Sequence, residues 1–452
     1  MSNFQERLLR VIPGGAHTYS RGFDQYPSNA PQMLERGKGA YVFDPAGNRY
    51  LDYGMALRAV NIGYAEDEID AAAIHQIHNG NNLTRASSIE LEAAELLVGM
   101  IDSVDMVKFT KNGSTAVSAA VKLARAFTGR EMIARCAEQP FFSYDDWFIG
   151  STPLTRGIPE SVLSQTKLLG YNDLASLEKI VEQFPGQIAC VVIEPASTEC
   201  PKLGTETGCC NQSPCARNYC GSQRNFLQDV ELFCKKHGIV FILDEMITGF
   251  RWHIKGAQHM YGVKPDICTF GKAMANGFSV ACVAGRREIM ELGSIEFEGR
   301  ERLFLLSTTH GAEMCGLGAF VATMDFMQRH QVVAHLWDYG SRLMNMMKRQ
   351  AEAHGIAGSF KVGGIACSPY YLTQDAGGAS SLPLRTLFAQ EMIRQGVMMP
   401  WIALSYRHGE AELAATERAV DHAFGIYRRA LDEGVDKYLV GPAIKPVFRK
   451  HN

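Results

Sequence analysis

The middle of the chain alternates short apolar runs with amphipathic stretches. "MVKFTKNG" reads as a strand ending in a turn, and "STAVSAAVKLARAFTG" as a helix with a glycine stop. "IACVVIEP", "IVFILDE" and "PDICTFGK" are nearly unbroken apolar runs, and "DVELFCKKHG" is an amphipathic helix with a glycine at its end. Strands read this way when both faces of their sheet are covered. Their alternation with helices predicts an α/β fold with a mostly parallel sheet. Polar residues gather just past the carboxyl ends of these strands, where open α/β sheets bind ligands.

The pattern differs at both ends. "GAYVFDPAGNRYLDY" predicts a hairpin with a Gly-Asn turn. Beyond residue 316 come long helices, two short strands within "FKVGGIACSPYYL", and two further helices. The division expected is an N-terminal arm over 1–60 packing with the small domain, a large domain over 61–315, and a smaller α+β domain over 316–452.

Composition narrows the classes. The chain has 452 residues, 46% of them hydrophobic, which is enough for a large core. A net charge of -3 without any basic stripe argues against nucleic acid and anionic membranes as partners. The polar start "MSNFQERLLRVIPGG" lacks a signal-peptide core, and no apolar run approaches the ~20 residues of a membrane span. A cytoplasmic protein is expected. Of the twelve cysteines most are scattered in apolar surroundings. Cys200, Cys209, Cys210, Cys215 and Cys220 instead cluster in an insertion over 198–222 rich in Gly, Pro and Asn. Zinc on four thiolates and a set of reduced thiols both fit that cluster, and its irregular spacing without a CxxC pair weakens the zinc reading. No metal site is assigned.

Three strand ends carry the chemistry. Gly113, Ser114 and Thr115 open a helix, whose first-turn amides and partial positive charge suit a phosphate; a plain N-cap is the simpler reading of the same residues. Asp244 ends a buried strand, where a carboxylate needs a cationic partner such as a protonated pyridine nitrogen. Met246 lies two residues on and can pack against a flat ring. Lys272 follows the next strand, and a desolvated lysine amine condenses with an aldehyde. Phosphate, ring nitrogen and aldehyde meet in one cofactor, pyridoxal 5'-phosphate.

Nearly the whole chain also resembles a known family. "VIPGGAHTYSRGF", "NGSTAVSAAVKLARAFTGR", "ILDEMITGFRW", "GAQHMYGVKPDICTFGKAMANG" and "LSTTHGAEMCGLGAFVATM" are similar to the class III, fold-type I pyridoxal-phosphate aminotransferases, in the branch near glutamate-1-semialdehyde aminomutase. The resemblance implies that Lys272 is the Schiff-base lysine and proton shuttle, and that Asp244 holds the ring nitrogen protonated. It places Met246 on one ring face and Phe141, in "EQPFFSYDDW", where a stacking Tyr is usual. It gives phosphate contacts to Gly113, Ser114 and Thr115. Thr309 would add one from the second subunit, so a homodimer with shared sites is expected. Glu194, ending the "IACVVIEP" strand, is counted with the cofactor-binding set. Arg21 aligns with an arginine that binds a substrate carboxylate.

The branch leaves two activities open. The aminomutase carries a glutamate in a C-terminal segment that here reads "MMPWIALSYRHGEAE", with Trp401 and Leu404 in place of polar residues. "DYGMALRAVNIGYA" puts Leu57 and Arg58 where the mutase has a tryptophan region. These departures favour transfer from a small amine donor to a separate ketone or aldehyde acceptor, sugar-derived by likeness to a subgroup tied to polysaccharide or secondary-metabolite synthesis. Arg21 and Arg58 are the candidates for an anionic group of the substrate; a solvated arginine paired with local carboxylates is the plainer account of Arg58. Glutamate-1-semialdehyde aminomutase is the alternative. A non-catalytic binding protein on the same fold is the third, and the complete Lys272, Asp244 and phosphate-turn set speaks against it.

Overall fold

The computed structural model describes residues 4–196, 199–202 and 224–451. The chain forms two compact units, Met1–Glu66 with His335–Asn452, and Asp67–Ala334.

The second unit is built on seven strands: β1 (Met106–Thr110), β2 (Met132–Cys136), β3 (Thr166–Leu169), β4 (Ile188–Ile193), β5 (Val240–Asp244), β6 (Ile267–Phe270) and β7 (Ala281–Gly285). They lie in the order β1-β7-β6-β5-β4-β2-β3. β7 runs antiparallel to both neighbours, and every other pairing is parallel. All residues of β4, β5, β6 and β7 are buried, as a sheet covered on both faces requires. The mostly parallel sheet is therefore as the sequence predicts. The reversed direction of β7 is not, because an apolar run reads the same either way.

The helix Gly113–Thr128 packs across β7, β6, β4 and β5. Its buried side carries Ala116, Ala119, Ala120 and Ala124, small enough to bring the helix close to the sheet. The Asn112 side chain caps its start, and Gly129, left-handed at φ 67°, ends it. The helix Phe226–His237 begins on a reciprocal pair between Asn225 and Gln228, and left-handed Gly238 turns the chain into β5. These caps fix where each strand starts and therefore where it ends.

In the first unit Arg36–Lys38, Tyr41–Phe43 and Arg49–Asp52 pair antiparallel, and Val397–Met398 adds parallel to Arg49–Asp52. The predicted hairpin is present. Asp44 Oδ1 closes its turn by accepting from the amides of Ala46 (3.0 Å) and Asn48 (2.9 Å), with Gly47 at φ 84°. The Phe360–Ile365 and Ser368–Thr373 hairpin packs with the helices Leu382–Arg394 and Glu410–Glu433. Phe360 sits at the centre, its ring centroid 4.7 Å from Phe424, 4.9 Å from Phe388 and 5.5 Å from Tyr371. No helix among the described residues is long and apolar enough to cross a membrane.

The tightest approach in this unit involves Gly340 on the helix Val332–Ala353. A Cβ there would lie 1.7 Å from the Ala366 carbonyl oxygen. Backbone cannot yield as a side chain can, so Gly340→Ala is expected to cost about 3 kcal/mol or more. Urea unfolding measures it; a midpoint equal to that of the parent would refute the close approach.

Candidate active site

β5 and β6 run side by side with Asp244 opposite Thr269. Asp244 Oδ1 accepts from the Met246 amide at 2.9 Å and from Thr269 Oγ1 at 3.1 Å. The residue is 2% exposed. Burial pushes its carboxyl from the ordinary 3.8 up to about 6, while the Met246 amide, the Lys272 charge and the Thr269 hydroxyl pull it back. An anion here is poorly solvated and short of positive charge.

One residue past β6, Gly271 leads into Lys272, the first residue of a 3₁₀ turn Lys272–Ala275. Lys272 is half-buried with φ 46°. A non-glycine residue in that left-handed region costs roughly 1–2 kcal/mol. Such strain survives where the surroundings over-determine it, and it gathers at functional sites.

Met246 joins the two turns. A Cβ on Gly113 would lie 2.8 Å from the Met246 sulfur, and one on Gly271 would lie 2.6 Å from it. The thioether thus lies against the helix-opening turn and the lysine turn together. A side chain at either position would have to displace the thioether.

At the helix start the Asn112 carboxamide oxygen accepts from the Thr115 amide at 2.9 Å and from its hydroxyl at 3.0 Å. The Tyr144 amide donates to Ser114 Oγ at 3.2 Å, and its phenol lies 3.2 Å from Thr115 Oγ1. Asn112 and Tyr144 therefore belong with Gly113, Ser114 and Thr115. Asn112 had a readable signal, a capping residue three before Thr115. Tyr144 had none, since it lies in an irregular stretch.

The remaining candidates are placed as follows. Glu194 follows β4 and is buried; Gln139 pins its backbone with two bonds of 2.8 Å. Phe141 is exposed and meets Phe148 edge-on at 5.7 Å. Thr309 is exposed, and its carbonyl accepts from Asn82 Nδ2 at 3.1 Å. Cys200 is buried with its sulfur 3.6 Å from the Tyr261 hydroxyl. Cys209, Cys210, Cys215 and Cys220 lie outside the described residues. Among the described residues no cluster of His, Cys, Asp or Glu could hold a metal ion.

Arg21 and Arg58 belong to the first unit. Arg21 lines a cavity of about 870 Å³ together with Tyr26, Arg36, Asp52, Leu57 and Trp401. Arg58 ends a run of four residues at positive φ, Met55 (39°), Ala56 (47°), Leu57 (62°) and Arg58 (68°). Asp52 holds that turn: its carboxylate accepts from the amides of Gly54 (2.7 Å) and Met55 (3.0 Å) and from the Tyr64 hydroxyl (2.6 Å). Trp401 Nε1 adds a bond to the Gly54 carbonyl at 3.0 Å.

The chemistry of the second unit suits a flat cationic ring with a phosphate and an aldehyde: a helix-start turn, a buried carboxylate and a lysine amine, with Met246 packed against both turns. In cofactor-free protein the Lys272 charge is the cation that opposes the cost of burying Asp244, and it does so only in part. The Asp244 carboxyl then binds its proton more tightly folded than unfolded, so stability falls as pH rises from about 4 to about 6. The full effect is about 3 kcal/mol. Cofactor-free Asp244→Asn is expected to be the more stable protein at pH 7, with the gap closing below pH 4. Urea unfolding at the two pH values tests this, and a constant difference between them would refute the raised carboxyl.

Residues 24–399 match the family model described as aminotransferase class-III. The chain is 29% identical over 435 residues to the 3-aminobutyryl-CoA aminotransferase of Cloacimonas acidaminovorans (strain Evry), covering 95% of this chain and 98% of the relative. It superposes on the pyridoxal-phosphate form of the Sphingopyxis sp. MTA144 FumI protein with a TM-score of 0.81 and 26% identity, over 95% of this chain and 97% of that one. An omega-transaminase from Sphaerobacter thermophilus gives a TM-score of 0.76 at 25% identity, over 94% and 97%. The fold is thus the fold-type I architecture expected, and the chain belongs to the class III aminotransferases, enzymes of pyridoxal phosphate.

Proposed function

We propose that this aminotransferase moves an amino group between two separate molecules, as a homodimer, with Lys272 and Asp244 as its catalytic pair. The observation that carries the reading is Asp244, a carboxylate buried at the end of β5 and short of a cation. Pyridoxal phosphate, when bound, supplies an aldehyde for the amine and a ring that withdraws electrons. Asp244 keeps the proton on the ring nitrogen by holding negative charge beside it. The Lys272 amine takes the proton from the substrate carbon and returns it on the other side of the transfer. Gly113, Ser114 and Thr115, in a turn fixed by Asn112, bind the phosphate. Met246 supports one ring face and Phe141 the other, Glu194 backs the site, and Thr309 reaches the partner's phosphate.

Three features favour an intermolecular reaction over the aminomutase. Leu404 is fully buried, and Trp401 is committed to the Gly54 carbonyl, so neither stands in for the mutase glutamate. The 3-aminobutyryl-CoA aminotransferase acts, by name, on an amine at the third carbon of an acyl thioester, and the Sphaerobacter thermophilus structure is, by name, an omega-transaminase; neither is an aminomutase by name. The acceptor favoured is a ketone or aldehyde whose anionic group is distant from the carbonyl, met by Arg21 and by Arg58. The sugar-derived carbonyl expected from the sequence belongs in the same panel.

The test is a donor and acceptor screen on the holoenzyme. An amine donor with 3-oxobutyryl thioester, β-keto acids or keto sugars is expected to give amine product. Lys272→Ala is expected to lose about 10³-fold or more in rate and the visible absorbance of the bound cofactor. Glutamate-1-semialdehyde alone is expected to give little 5-aminolevulinate; efficient turnover would establish the aminomutase instead. A protein colourless after cofactor addition would establish the non-catalytic alternative.

A further inference from the structure

Lys111 directly precedes the Asn112 cap. Its Nζ lies 2.5 Å from Glu313 Oε2, and the two side chains are only 25% and 26% exposed. Glu313 Oε1 accepts from Asn81 Nδ2 at 2.8 Å. Asn81, left-handed at φ 55°, accepts the Met314 amide on its carbonyl at 2.8 Å and the Cys315 amide on Oδ1 at 3.0 Å. It therefore caps the start of the helix Met314–Arg329. Asn82 donates to the Thr309 carbonyl and lies 3.3 Å from His310 Nδ1. On the other side the Lys111 carbonyl accepts from Ser279 Oγ at 2.6 Å. Lys111, then Asn81, holds the Glu313 carboxyl below its usual range.

An ordinary exposed ion pair contributes about 0–1 kcal/mol and positions little. This one has further bonds at both ends, and what it spans is specific. One end is the residue adjoining the phosphate turn; the other closes the segment that carries Thr309. That segment is tight, since a Cβ on Gly311 would lie 2.3 Å from Thr308 Oγ1. We infer that Lys111, Glu313 and Asn81 form a positioning node for the Thr309 loop, acting on the cofactor held by the partner subunit. The node ties that loop to its own subunit's phosphate turn, so each site helps set the geometry of the other. The inference rests on the proposed dimer with Thr309 working across it.

The experiment uses holoenzyme. Glu313→Gln is expected to stay dimeric in sedimentation and to release pyridoxal phosphate about tenfold faster, the effect of one lost charge-assisted hydrogen bond. Lys111→Arg, which keeps a cation opposite Glu313 and leaves the Asn81 bond in place, is expected to keep parental retention. Mixed dimers then assign the direction. When Lys272→Ala and Glu313→Gln subunits are combined, the intact lysine lies in the Glu313→Gln subunit, while its Thr309 loop comes from a partner with an intact node. Borohydride trapping at that Lys272 is expected to show parental retention. Fast release there would place the node's action in its own subunit and overturn the inference, as would unchanged release from Glu313→Gln dimers. A monomeric parent protein would sink the dimer reading itself, a result sedimentation separates from the others.

Discussion

A negative charge without enough water is the constraint around which the second unit is arranged. Taking a carboxylate out of water costs several kcal/mol unless its partners restore what hydration supplied. Asp244 has the Met246 amide, the Thr269 hydroxyl and the field of Lys272, and these leave its carboxyl at about 6 rather than in the usual range. A fold with no use for the charge would do better with an apolar residue there. The register of β5 against β6 brings Thr269 opposite, and the strained turn at Lys272 keeps a second charge near. Each of these carries its own small cost, and together they still leave the carboxyl raised, as the proposed pairing with a ring cation requires.

Geometry is coupled to that charge through Met246. Its amide binds Asp244, and its sulfur fills the space beside Gly113 and Gly271. A flexible, polarisable side chain suits such a junction, because it adapts to two surfaces. The helix-opening turn and the lysine turn are far apart in sequence, yet their spacing is set through one residue that is also bound to the carboxylate. A shift in any one of the three is felt by the others.

Much of this could be read from the residues. β4, β5 and β6 are legible because a strand buried on both faces is apolar almost throughout. Asp244 and Lys272 stand out for the same reason, as polar residues at the ends of apolar runs. The direction of β7 was not legible, since apolar content carries no sign of direction. Tyr144 was invisible because its role depends on where an irregular segment folds back. Asn112 was legible as a cap, while the link of its neighbour Lys111 to Glu313 joins positions too far apart for any local pattern to connect. The left-handed run Met55–Arg58 was hidden as well: Met, Ala, Leu and Arg are good helix formers, and nothing in them announces positive φ.

That run supplies a useful contrast, because it too depends on a carboxylate at a strand end. Asp52 ends Arg49–Asp52 and is as deeply buried as Asp244, and burial raises its carboxyl also. But Asp52 takes three donors spread over both oxygens, whereas the two donors to Asp244 fall on Oδ1 alone. The first carboxylate is fully used in stabilising a turn of four left-handed residues, each costing roughly 1–2 kcal/mol, and so fixes Ala56 and Leu57 as a preset wall of the cavity they line. The second keeps capacity in reserve. Similar burial with unequal hydrogen bonding thus separates a carboxylate used on both oxygens to hold a turn from one bonded on a single oxygen, which is the difference the proposed role of Asp244 draws on.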